Sequence, residues 1–513
     1  MASFKNYYGL TPFTRSSLVF LMLLLVPIGL SVWGWITQLE IGLGVTGLNR
    51  PVAWGLYMAN FVFYISVSMS GTFISATIRL LKLEWGKPIS RVAEVITVGS
   101  LLVAALNILF DVGQFWRALA YIPLYGRIQS PVGWDVIVLL FYLLVSLGYL
   151  HLSVIPDAAA LSERGGRLGW FYNLLRYDWD GREDQVRFLE NALKVLAVIT
   201  IPIAIMMHTV TGWIFGIMKS VPTWNDALMG PYFVIGALLT GLSLVIIAAA
   251  AIRWRYGLQS VFSDHSFVQL SKLLAVFSIG YLYFLLAETF TVRYAAVGED
   301  MEVSQLVWVG PYSALTWYVL ASLVIPSVTL LVPRFRTYRT TVAMASIVLP
   351  AMWLKRVLIV VPGLFYQLRL MTVQSAMPTY APTLVEALLT AGSFAGLALV
   401  VYIFTKLFPP VPAWELGGVK KPTPKESTFL SMRGVFLAWA VGIIMSTSYV
   451  FIWVVSTLIL GNQGSLYVYA VRPQQLDVLQ IPTPTNTPLL NLLAIVVLSG
   501  LMTLLLEKLR SRI

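Results

Sequence analysis

The stretch SSLVFLMLLLVPIGLSVWGWIT, residues 16–37, runs for 22 residues without a charge. A helix crosses the hydrocarbon core of a bilayer with about 20 predominantly apolar residues, so this segment is long enough to span. It also exceeds the apolar core of a cleavable secretory signal, roughly 7–15 residues, and reads as a first span that stays in the protein. Eleven further stretches of the same kind follow, at about 51–78, 92–112, 132–152, 194–218, 228–252, 270–293, 305–333, 340–368, 383–406, 430–460 and 486–507. The whole chain agrees with them: of 513 residues, 58% are hydrophobic and 11% charged, against roughly a quarter charged in soluble domains. With a mean hydropathy of +0.80, this excludes an ordinary globular enzyme, a disordered chain and a fibrous protein. Long continuous apolar runs, in place of ten-residue alternation, exclude a transmembrane β-barrel. The expected fold is therefore an all-α polytopic membrane protein of about 12 transmembrane helices.

The formal net charge of +12 would suit a nucleic-acid partner only if the basic residues shared a soluble face. They do not. Taking the spans in order, 26 of the 35 Lys and Arg fall on the side of the amino terminus, among them Arg79, Lys87, Arg91, Arg253 and Lys420. Seven fall on the other side, and Lys355 with Arg356 lie inside the ninth span. Basic residues concentrate in cytoplasmic loops, so both termini are expected to be cytoplasmic and the protein to sit in the cytoplasmic membrane, with no nucleic-acid partner. The Pro-, Gly- and Lys-rich segment LFPPVPAWELGGVKKPTPKE, in residues 407–426, reads as a cytoplasmic linker. Placed at 408–427, it divides a ten-span body (1–407) from a two-span C-terminal extension (428–513). The loop at about 153–190, carrying RYDWDGREDQVR, has the mixed charge of a solvated interfacial helix.

Ionisable groups at bilayer depth cost about 2.5–3.5 kcal/mol each on insertion scales, which makes each a functional candidate. With the orientation above, Asp111 (NILFDVGQFW) and Asp135 (SPVGWDV) lie near the outer ends of the third and fourth spans. His208 lies in the outer half of the fifth, Glu288 near the outer end of the seventh, and Lys355 and Arg356 in the middle of the ninth. Structural roles compete with each assignment. Asp135 can serve as an anion at a helix N-terminus, and His208 as a hydrogen-bonding link between helices. Glu288 can pair with Arg293 at the interface, and Lys355 or Arg356 with buried carboxylates. Trp116, Tyr121, Tyr125 and Trp134 fit an interfacial belt, although Trp134 or Tyr121 could stack on a ligand ring.

The three histidines, His151, His208 and His265, offer no two at one depth, so a bis-histidine haem is not expected. The absence of cysteine excludes disulfides, thiolate metal sites and an iron–sulfur cluster ligated by this chain. A redox role would therefore require a diffusible carrier and a neighbouring protein.

Six stretches in order carry a family resemblance: GLNRPVAWGLYMANFVFYISVSMSGTFISA (47–76), SPVGWDVIVLLFYLLVSLGYLHLSVIPD (130–157), HTVTGWIFGI (208–217), GPYFVIGALLTGLSLV (230–245), LSKLLAVFSIGYLYFLLAETFTVRY (270–294) and MWLKRVLIVVPGL (352–364). Together they resemble the NrfD-like, or polysulfide-reductase, membrane subunits, and most closely the ten-span branch that includes the ActC subunit of alternative complex III. The resemblance covers about residues 1–410. It implies a ten-helix body of two four-helix bundles plus flanking helices. It also implies a site near the outer face for a diffusible quinone of the menaquinone type, with no haem in this chain. The expected partners are an iron–sulfur subunit and a large catalytic subunit on the outer face, together with other membrane subunits. In the family pattern the quinone-site carboxylate matches Asp135, and the histidine and glutamate stretches support His208 and Glu288. Related subunits have histidine in place of Asp111 and arginine in place of Gln114, a departure at that position. The expectation is a quinone- or quinol-binding subunit of a respiratory oxidoreductase. Asp135, Asp111 and His208 would act as proton acceptors, Asp135, Asp111, Gln114, Trp134, Tyr121 and His208 would line the quinone site, and Glu288, Lys355 and Arg356 would form a proton path. The competing readings are a secondary transporter, which twelve spans with buried charges also fit, and a passive membrane anchor.

Overall fold

The computed structural model describes residues 15–49, 52–116, 131–164, 166–365, 380–416 and 431–445. Tyr121, Tyr125 and most of the proposed linker and C-terminal extension lie outside them. Ten described helices are long and apolar enough to cross a membrane: α1 (Arg15–Ile41), α2 (Leu56–Leu80), α3 (Lys87–Val112), α4 (Pro131–Ser162), α6 (Glu183–Gly216), α7 (Met229–Tyr256), α8 (Asp264–Ala295), α10 (Ser313–Leu331), α11 (Tyr338–Val360) and α12 (Leu384–Leu407). Shorter helices are α5 (Gly169–Leu175), α9 (Gly298–Trp308) and α13 (Met432–Met445). Apolar surroundings leave the backbone no partner but itself, so long apolar runs become helices. Prolines inside them, such as Pro27, Pro156 and Pro350, are tolerated where neighbouring helices and side chains take up the freed backbone groups.

Helix ends follow local chemistry. Thr383 and Glu386 form a reciprocal capping box at the start of α12, and Ser263 accepts a hydrogen bond from the Ser266 amide at the start of α8. α3 stops at Gly113, whose φ of 77° lies in the region open to glycine. The apolar stretch at 305–333, expected as one span, is divided. VWVGPYS carries Gly310–Pro311, and the chain breaks there into α9 and α10, because proline cannot supply the amide that a continuing helix needs. The fourth and fifth spans in turn are longer than their apolar windows, at 32 and 34 residues.

The chain forms two compact units, one of Met1–Gln114 with Ala197–Gly418, the other of Phe115–Leu196 with Val419–Ile513. In the first unit α2 is the hub, packing on α3, α7, α11 and α12. Of its most apolar window 89% is buried, against 6% for α1. Close crossings depend on glycine. A Cβ on Gly71 would lie 2.6 Å from the Ala93 carbonyl of α3, and one on Gly241 of α7 would lie 2.5 Å from the Val67 carbonyl of α2. Helices α7, α8, α10 and α11 pack together as one of the expected four-helix bundles, and α1 pairs with α12. In the second unit α4 packs on α5, and α13 is tied to α4 and to the first turns of α6. Trp439 lies against Gly148, Phe188 meets Phe436 with ring centroids 5.3 Å apart, and the Met432 amide donates to Asp178 at 2.6 Å.

Candidate functional site

Three groups of buried polar side chains hold the sequence candidates. The first lies in the first unit, where the end of α3 meets α1, α2 and the start of α12. The Gln38 amide donates to the Phe110 carbonyl at 2.7 Å, and its oxygen accepts from the Tyr57 hydroxyl at 2.7 Å. Tyr57 is within electrostatic reach of both Asp111 and Glu386. Glu386, fully buried, accepts from Tyr380 at 2.6 Å and from the Gly47 amide at 2.7 Å. Tyr380 in turn accepts from the Leu56 amide at 2.9 Å. Burial, and then the Glu386 carboxylate, raise the Tyr380 phenol above its ordinary range. Against this satisfied network, Asp111 Oδ1 and Gln114 Oε1 are buried acceptors without a hydrogen bond. Leaving such atoms unmade costs about 1–3 kcal/mol each.

The second group sits between α2, the Ala197–Gly216 part of α6, and the α7–α8–α10–α11 bundle. Arg356 is fully buried; its Nη2 donates to Ser66 at 3.2 Å, and its guanidinium lies 4.9 Å from the Phe233 ring centre. Its Nε and Nη1 make no hydrogen bond. Gly236 makes room for it, since a Cβ there would stand 2.7 Å from the Tyr281 ring and 2.8 Å from Arg356 Nη2. His208, also fully buried, is within electrostatic reach of Arg356. Its Nδ1 meets the Ala204 carbonyl at 3.1 Å and therefore carries the proton in the neutral ring. Its Nε2 is buried without a hydrogen bond. Tyr232 and Tyr281 pack beside them, their rings tilted by 31° with centroids 4.6 Å apart. One residue along α11, Lys355 Nζ pairs with Glu288 of α8 at 3.3 Å, so Glu288 is joined to Lys355 and not to Arg293.

The third group is in the second unit. Asp135, on the second turn of α4, is buried; Trp134 beside it is half-buried. Farther along α4, both ring nitrogens of His151 are engaged. Nε2 meets the Tyr177 hydroxyl at 3.0 Å and Nδ1 accepts from Trp439 at 3.3 Å.

Sequence reasoning thus named Asp111, Gln114, His208, Glu288, Lys355 and Arg356, and the fold gathers them into two clusters of one unit. It did not single out Gln38, Tyr57, Tyr380 or Glu386. Only the T-x-x-E capping signal of Thr383–Glu386 marked any of them, and that signal reports a helix start, not a buried network. Tyr232, Tyr281 and Asp300 were missed as well. Among the described residues no group of three or more His, Asp or Glu could hold a metal ion.

Ten helices of membrane-crossing length and apolar composition, with carboxylates, a histidine and an ion pair among them, define the class as an integral, multi-pass membrane protein. The model of the polysulphide reductase NrfD family matches residues 44–367, more than half of the chain, which therefore belongs to that family. Among its relatives, a protein of Halobacterium salinarum described as a membrane subunit of a dimethyl sulfoxide reductase is 29% identical over 52% of this chain and 57% of its own. The Hdr-like menaquinol oxidoreductase integral membrane subunit of Archaeoglobus fulgidus is 22% identical over 73% of this chain and 89% of its own. A selenate reductase subunit of Mesobacillus selenatarsenatis is 22% identical over 41% of this chain and 50% of its own. The chain thus spans about half the length of the first and third of these relatives. It is a multi-pass membrane protein of a family whose members include membrane subunits of oxidoreductases.

Proposed function

We propose that this chain is the quinone-interacting subunit of a respiratory oxidoreductase complex. In this reading it passes electrons between the quinone pool and an iron–sulfur partner on the outer face, and the partner delivers them to or from a large catalytic subunit. The observation that carries the reading is the pair of buried, unsatisfied acceptors at the end of α3, Asp111 Oδ1 and Gln114 Oε1. A quinol offers hydroxyl donors, and oxidising it requires bases that remove two protons as two electrons leave. A carboxylate acceptor in an apolar bundle answers both needs. Asp135, buried on α4, is the other carboxylate assigned to this chemistry, with Trp134 and Tyr121 as ring contacts. The menaquinol oxidoreductase subunit among the relatives supports a quinone of the menaquinone type.

The Glu288–Lys355–Arg356 group forms the proton-handling part of the reading, and His208, the further candidate base and quinone contact, lies within electrostatic reach of Arg356. Arg356 keeps its charge and so acts as a fixed positive potential. His208, Glu288 and Lys355 are the groups able to exchange protons, and through them proton translocation would accompany electron transfer.

The test is quinol-dependent reduction of the partner's cluster in purified complex. Asp135→Asn and Asp111→Asn are each expected to slow it by about 10²–10⁴-fold, the usual worth of a positioned acid or base, with the complex still assembled. Turnover at the wild-type rate in both variants would remove these carboxylates from the reaction. Transport by the isolated chain in liposomes would favour the transporter reading instead.

A further inference from the structure

Beside the Lys355–Glu288 pair lies a cavity of about 70 Å³, lined by Glu288, Lys355, Thr223, Ser304, Thr316 and Asp300 among others. A water needs roughly 10–15 Å³ of such space and two to four polar partners, so the cavity has room and partners for a few waters. Asp300, on the first turn of α9, is half-buried, and its Oδ1 is buried without a hydrogen bond. Its neighbour Glu299 is exposed, so the acid usual at a helix N-terminus is already supplied. Asp300 instead lines a mainly apolar chamber that it shares with the Glu288–Lys355 ion pair.

We propose that this chamber is a water-filled proton-exchange site and that Asp300 is the carboxyl passing protons between the Glu288–Lys355 pair and the aqueous surface. The inference rests on the quinol-linked reading above. The step moves a proton only. The Lys355 ammonium releases H⁺ to a chamber water, and the Asp300 carboxylate takes one up and gives it to solvent. Of the charged groups, Glu288 from α8 and Lys355 from α11 line the chamber with Asp300, and Glu299 acts on it from its own helix, on which Glu302 follows. α10 contributes Thr316, which is neutral. The break at Gly310–Pro311 folds α9 against α8 and α10, which places Asp300 there. Burial, and then Glu299, hold the Asp300 carboxyl above its ordinary value, which favours uptake of a proton there.

The test uses the intact complex in proteoliposomes, with proton release and quinol oxidation recorded together. Asp300→Asn is expected to lose proton release beyond the chemical yield of quinol oxidation, counted per electron, and Asp300→Glu to recover it. An unchanged ratio in Asp300→Asn would overturn the proposal, as would a wild-type complex that oxidises quinol without releasing more than the chemical yield. Failure of the wild type to oxidise quinol would count against the quinol-linked reading itself. Infrared difference spectra of the purified complex after a pH jump then decide the Asp300 assignment separately. A carboxyl C=O band that disappears in Asp300→Asn is expected, and no such band would refute the assignment.

Discussion

Among single residues, Gly236 sets the position of the Arg356 guanidinium. A methyl group there meets the Tyr281 ring and Nη2 at under 3 Å, and both are confined in a packed interior. Gly236→Ala is expected to destabilise the protein by about 1–3 kcal/mol, the range for overpacking, read as a lower unfolding temperature of the detergent-solubilised complex. Lys355 and Glu288 form a pair with the glutamate about 30% exposed, so solvent screens part of their attraction. A double-mutant cycle with Lys355→Met and Glu288→Gln should give a coupling on the order of 1 kcal/mol, and a coupling near zero would show the pair to be incidental. Asp300 holds its proton more tightly in the folded chain than in the unfolded one. Folding therefore binds protons there, and its contribution to stability falls as pH rises from the ordinary carboxylate range through the raised value. Asp300→Asn should be the more stable protein at high pH, with the difference disappearing on acidification in a thermal-shift series.

Among the helices, the sequence was most readable where the solvent is hydrocarbon. Ten expected spans contain helices of membrane-crossing length, because a run of about 20 apolar residues has one way to satisfy its backbone in lipid. The least exact, 305–333, is divided at Gly310–Pro311, where a hydropathy average passes over a backbone rule. Side-chain partners were less readable. Asp111, His208, Glu288 and Arg356 stood out because each is costly in an apolar run. Glu386 and Tyr380 sit at a span end where polar residues are ordinary, so nothing in the pattern marks them as buried together. Glu288 lies five residues from Arg293 but pairs with Lys355, 67 positions away, a choice that only helix packing makes. The capping box of α12 has its own test. Thr383→Ala removes one of two reciprocal bonds and should cost about 1 kcal/mol. It should also loosen the Glu386–Tyr380 contact, visible as faster amide exchange at Leu56, whose N–H donates to Tyr380.

For the whole molecule, buried carboxylates at the ends of α3 and α4 are the proposed link between an NrfD-family body and a quinol reaction. The net charge of +12 is unevenly spread along the chain: taken in span order, 26 of the 35 Lys and Arg fall in one set of alternate loops, the set expected to be cytoplasmic. The most direct measurement is photolabelling of the intact complex with a photoreactive menaquinone analogue, followed by mapping of the modified peptides. Label is expected on this chain, on peptides flanking Asp111–Gln114 and Trp134–Asp135, competed away by unlabelled quinol and reduced in Asp111→Asn and Asp135→Asn. Competable label confined to other subunits, or to segments of this chain remote from both carboxylates, would show that the quinone binds elsewhere.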